Sequence, residues 1–151
     1  MKKLILIALL IFSSPSYADW TRVSVTGTDG ATFYVQFERI RIVDGYTYFW
    51  SMMNQKNPIK HHSLPGGYAL SVKMYHQSDC KLFKIKTLSY VAHTEQMGLG
   101  PSADDNVPDA DWIYPPPATV NDNLLQLVCR WVELSPEGKV ELLQRLRLLL
   151  S

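Results

Sequence analysis

The chain lacks an excess of charge of either sign, has few cysteines and contains no long apolar run, and each shortage closes a class of function. Its 151 residues carry 15 Lys and Arg against 14 Asp and Glu. A net charge of +1 excludes a strongly basic nucleic-acid binder, which needs an excess of clustered cations. The longest apolar run, Leu4 to Phe12, is about half of the roughly 20 residues that a membrane-spanning helix requires. Catalytic signatures are missing as well: there is no Gly-x-Ser-x-Gly turn and no His-Glu-x-x-His helix. Gly98-x-Gly100 lacks the third glycine and the preceding strand of a dinucleotide loop, so it reads as a turn. Asp104, Asp105, Asp109 and Asp111 lack the alternation, the central glycine and the closing glutamate of a calcium loop, so they read as a solvated turn. No enzymatic activity, metal site or cofactor is expected.

What is present begins with an export signal. Lys2 and Lys3 precede the apolar run, and Ser16-Tyr17-Ala18 follows it with small residues at the −3 and −1 positions of a cleavage site. The sequence predicts a signal peptide over 1–18, cleaved after Ala18. Losing Lys2 and Lys3 moves the net charge from +1 to −1. Asp19, not a lipid-anchoring cysteine, follows the site, and no twin arginine precedes the run, which favours the general export route. The expected location is outside the cytoplasm: periplasmic, or secreted and at the cell surface. With 46% apolar and 19% charged residues the chain is not disordered by composition. At this length it buries about two thirds of its unfolded surface.

Cys80 and Cys129 are the two cysteines, and an oxidising compartment bridges an even pair. They lie too far apart in sequence for a CxxC redox motif, and a metal site wants three or four ligands. A structural disulfide is expected, and the chain-entropy model assigns a loop of about 50 residues roughly 4 kcal/mol.

Period-two alternation fills the first half. Val23 and Val25, Phe33, Val35 and Phe37, then Ile40 and Ile42 are separated by polar residues, and Asp44-Gly45 is a hairpin signal before a further strand from Tyr46 to Met52. Asn54 to Gly67, with Asn57-Pro58 and Pro65-Gly66-Gly67, reads as a loop. Leu70, Val72 and Met74, then Phe83 and Ile85, alternate with polar residues on either side of Gln77-Ser78-Asp79, which predicts a long hairpin with its tip near Asp79 and Cys80. Gly98 to Pro117 reads as an irregular crossing with Trp112 in its middle. Thr119 and Asp122 form a capping-box signal for a helix from about Val120 to Cys129. Ser135, Pro136 and Glu137 start a second helix, striped by Leu142, Leu143, Leu146, Leu149 and Leu150 and flanked by Lys139, Arg145 and Arg147.

Taken in order, Trp20, the strand pair Phe33 to Ile42, Trp50, Ser71-x-Lys73 ahead of Asp79-Cys80, Gly98-Leu99-Gly100, Trp112 before Pro115-Pro116-Pro117, and a short helix ending in Cys129 make a recognisable set. From Trp20 to Cys129 it resembles the bacterial surface-adhesin protein E family. The resemblance implies an α+β fold: an antiparallel sheet of about five or six strands with a packed C-terminal helix, stapled by Cys80–Cys129. Together with the leader, the chain divides into a signal peptide (1–18), a surface-adhesin E-like domain (19–129) and, outside the resemblance, a C-terminal helical tail (130–151). It also implies an exported, non-enzymatic binding protein for an envelope or host extracellular macromolecule.

Among the residues themselves, Lys73, Lys81, Lys84 and Lys86, with Tyr75 between them, form the strongest surface candidate. On the hairpin these lysines lie opposite Val72, Met74, Phe83 and Ile85, as a positive strip able to steer an acidic protein or glycoprotein. The alternative is that they keep an exposed sheet from aggregating. His61-His62 raises a rival reading, a periplasmic protein binding a small ligand, haem or metal, against which stands a pair of solvated loop histidines. His76 and His93 lie on the hairpin. For the tail, docking on its own domain is expected over pairing in a homodimer or lying on an anionic membrane.

Overall fold

The computed structural model describes residues 20–25, 30–107 and 110–150. The expected signal peptide with its cleavage site, and Asp109 of the acidic run, lie outside the described residues. Seven antiparallel strands form one sheet: β1 (Thr21–Val25), β2 (Thr32–Val35), β3 (Arg41–Val43), β4 (Tyr46–Lys60), β5 (Tyr68–Asp79), β6 (Lys84–His93) and β7 (Ser102–Asn106). Their order is β1-β2-β4-β5-β6-β7, with β3 also paired to β4. Two helices follow, α1 (Val120–Glu133) and α2 (Pro136–Leu150). The fold is the α+β class that the residue pattern and the resemblance both imply.

Because successive strand residues point to opposite faces, the alternation sorts the sheet. Phe33, Val35, Phe49 and Ile85 turn to one face, where they meet Leu124, Leu125 and Val128 of α1 and Leu142 and Leu146 of α2 in one buried cluster. Each such side chain contributes about 1.5–3 kcal/mol by leaving water. Local chemistry starts α1 where the sequence predicts: the Asp122 backbone N–H donates to Thr119 Oγ1 at 3.2 Å, and Asp122 Oδ2 accepts from the Ala118 N–H at 2.9 Å. The helix then continues a turn beyond Cys129, across the 129/130 boundary, until Leu134 turns extended. On α2 the apolar stripe is narrower than expected. Leu142 and Leu146 are buried, whereas Leu149 is 79% exposed. Arg22 Nη1 donates to the Leu150 carbonyl at 2.6 Å, tying the end of α2 to β1. The tail thus docks on its own domain.

The hairpin tip is built by Asp79, whose Oδ1 accepts from the Lys81 and Leu82 backbone N–H groups, both at 3.0 Å. That local turn presents Cys80 to α1, and the Cys80–Cys129 disulfide joins the two with Cα atoms 5.5 Å apart. Two segments differ from expectation. β4 runs through Asn57-Pro58 to Lys60, because a bulge between Asn54 and Ile59 takes the proline out of the ladder. The connecting loop shrinks to 61–67. Within the expected crossing, Ser102–Asn106 pairs with β6 as a further edge strand. Its sequence carries no apolar alternation, so its extended form comes from the ladder of β6 and not from local pattern.

Candidate functional site

The face away from the helices carries a ladder of rings. Tyr46, Tyr48 and Trp50 alternate along β4 with the inward Thr47 and Phe49. Trp50 packs tilted against Tyr75 of the neighbouring strand at 4.8 Å between centroids, and Tyr48 approaches Tyr75 at 6.1 Å. Tyr46 stacks on Trp112 at 5.6 Å. Trp112 is held over the sheet because its neighbour Ile113 exchanges backbone hydrogen bonds with Ile85, at 3.0 and 2.9 Å. The Lys84 and Lys86 ammonium groups lie 4.6 and 5.0 Å from the Trp112 ring centroid, within cation–π range.

Arginines join these rings. A short helical turn over Phe37–Arg39 buries Phe37 against Trp131, with ring centroids 4.9 Å apart, and leaves Glu38 and Arg39 exposed. Arg41 Nη2 donates to Tyr75 Oη at 3.3 Å. Two depressions, each of about 380 Å³, share Arg39 and Trp50 in their walls. One extends to Arg41 and Glu38, the other to Trp20, Lys73 and His93.

The inner depression is shaped by the chain after β6. Lys73 Nζ donates to the Gly98 carbonyl at 3.1 Å, and the Gly98 N–H donates to Ser71 Oγ at 2.9 Å. Gly98 has φ +68°, a backbone conformation that favours glycine, and a Cβ there would push aside the end of the Lys73 side chain. Burial holds the Lys73 ammonium below the ordinary lysine value. Burial first, and the Lys73 charge second, hold the His93 imidazole below its usual value, opposed in part by the Gly100 backbone.

Of the sequence-predicted strip, Lys73, Tyr75, Lys84 and Lys86 share this face, as the alternation implied. Lys73 lies at the far end from Lys84 and Lys86, and Lys81 sits apart on the exposed hairpin tip. What sequence reasoning missed is that Trp20, Arg39, Arg41, Trp50 and Trp112 complete the surface. The Tyr46-x-Tyr48-x-Trp50 spacing was the available signal, since it places three rings on one face of a strand. The other histidines do not join it. His61 is half-buried and His62 exposed, and among the described residues no three His, Cys, Asp or Glu side chains cluster as metal ligands. His76 faces the helices, fully buried against Phe49, bonded to Ser51 Oγ at 2.7 Å and Thr87 Oγ1 at 3.0 Å. Burial pushes its pKa down to about 3. This serine–histidine contact is sealed in the core, where a substrate has no approach.

The model of the surface-adhesin protein E family matches residues 20–130. The chain belongs to the surface-adhesin protein E family. Solved structures of Haemophilus influenzae protein E share its fold. A crystal structure of protein E from non-typeable Haemophilus influenzae superposes with a TM-score of 0.62 at 17% identity, covering 83% of this chain and 88% of that one. A second crystal form of Haemophilus influenzae protein E gives 0.56 at 21% identity, covering 65% and 80%. No curated protein sequence matches the chain. Family membership implies an exported or cell-surface place and a binding role.

Proposed function

We propose that this chain is an exported, non-enzymatic adhesin whose open sheet face recognises an acidic macromolecule of the envelope or of the host extracellular matrix, with Lys73, Tyr75, Lys84 and Lys86 contributing from the hairpin and Lys81 from its tip. One observation carries the reading. Among the described residues the cations on this face form no ion pair, and the ion pair that is found there, Arg145 with Glu141, lies on α2. Unpaired cations beside half-buried rings form a surface that attracts an anion from within about 10 Å at ordinary ionic strength and then covers its apolar parts. Export by the leader over 1–18 and a role for the tail in buttressing β1 complete the reading.

The double charge reversal Lys84→Glu, Lys86→Glu tests it. Binding of the intact protein to an immobilised acidic matrix glycoprotein should fall with added salt, and the double variant should lose that salt-sensitive binding. Undiminished binding by the folded variant would overturn the assignment. Fractionation of cells into cytoplasm, periplasm, outer membrane and medium checks export.

A further inference from the structure

Resting on the acidic-partner reading, we infer that the two joined depressions around Trp50 and Arg39 form a subsite for a carboxylated sugar, so that the recognised partner is an acidic glycan chain. The occupant follows from how the groove is placed. Its inner depression lies over β4, β5 and β6, where the backbone hydrogen bonds are already spent within the ladders, and its outer one reaches Arg41 on β3. A peptide bound there gains no strand pairing, unlike one added at a sheet edge. Recognition falls to side chains, and those present are of two kinds. Trp50 and Trp20 offer flat apolar walls, matching the C–H face of a pyranose ring. Arg39 and Arg41 offer planar guanidinium forks, matching a carboxylate in two-point hydrogen bonds.

A second observation points to a ligand in the inner depression. His93 lines it, is only 7% exposed, and apart from a weak approach of the Gly100 backbone has no hydrogen-bond partner at either ring nitrogen. Buried polar atoms without partners are rare and call for one. A sugar hydroxyl supplies either a donor or an acceptor, whichever the imidazole tautomer lacks. The total space, two depressions of about 380 Å³ sharing a wall, suits consecutive sugar units better than one small ion. Carboxylates set its limits: Glu38 rims the outer depression, and Asp104 stands opposite Val91 on β7. A polyanion is thereby kept along the line of Trp50 and turned away from β7.

Titration of the whole protein with a hexasaccharide of hyaluronan, followed by tryptophan fluorescence, tests the inference. Neutral chitohexaose and hexaglutamate serve as the uncharged and non-sugar comparisons. The hyaluronan fragment should bind at least about tenfold more tightly than either, and Arg39→Glu should weaken it by about tenfold, the worth of one charge-assisted contact. Trp50→Ala should weaken it comparably, while Arg147→Glu on α2 should leave it unchanged. Circular dichroism confirms that each variant is folded, and exposed Arg39 provides a variant that does not disturb the core. Equal binding of chitohexaose overturns the role of charge. Binding of hexaglutamate without hyaluronan overturns the sugar assignment and leaves the acidic-partner reading standing. If no probe binds, the inference fails. Failure of the parent protein to capture the intact glycoprotein in a salt-sensitive way would then sink the broader reading too.

Discussion

The two faces of the sheet use the same alternation to opposite ends. On one, Phe49, Ile85 and Val35 meet two helices and leave almost no surface to water. On the other, Tyr48, Trp50 and Tyr75 stay half-buried, bordered by arginines and lysines. A single strand, β4, supplies both: Phe49 inward, Tyr48 and Trp50 outward. The lesson is that large aromatic side chains on a strand do not by themselves mark a core. What separates the faces is the company they keep, leucines from a helix on one side and unpaired cations on the other.

This division of labour can be broken from the inside first. Replacing Cys80 and Cys129 together by serine should lower unfolding free energy by roughly 4 kcal/mol on the chain-entropy model, read as a lower urea midpoint. Next, Leu125→Ala, at a fully buried position between the helix and the sheet, should cost about 3 kcal/mol. The open-face charge reversal Arg39→Glu should stay within about 0.5 kcal/mol of the parent. A matching loss at both sites would show that the faces are not independent. A further effect is a slope. His76 stays neutral in the folded protein down to about pH 3, whereas an unfolded chain protonates its histidine near 6.5. Between these values the unfolded state binds the extra proton. Stability from this group is therefore complete above about pH 6.5 and is lost as pH falls, by at most about 1.4 kcal/mol per unit. Urea midpoints at pH 7 and pH 5 should show a steeper acid loss in the parent than in His76→Gln, and equal slopes would exclude His76 as the cause.

Much of the fold was legible because its signals are local. The β5–β6 hairpin announces itself through Val72, Met74 and Ile85 at period two, and the start of α1 through Thr119 and Asp122. The disulfide followed from counting and compartment. β7 was hidden because Ser-Ala-Asp-Asp-Asn has no apolar pattern, and its conformation is imposed by β6. The far end of β4 was hidden because Pro58 reads as a break, and only a bulge in the paired strand lets the chain pass it. The candidate surface was half legible for the same reason. Alternation put the hairpin lysines on one face, but bringing Trp20, Arg39 and Trp112 to that face depends on strand order and on a distant crossing segment. No residue spacing encodes either.

The ends of the sheet close in different ways, and that matters for keeping copies of the chain apart. Along β1, α2 shields the rim and Arg22 fastens it. Along the other rim, Asp104 and Asp105 stand on the outermost strand β7, both exposed. Two adjacent carboxylates make that rim a poor template for a neighbouring copy, since an incoming identical strand would bring its own pair against them. The acidic run that resembles a failed calcium loop is thus well placed as a guard against fibre growth, one rim sealed by packing and the other by repulsion.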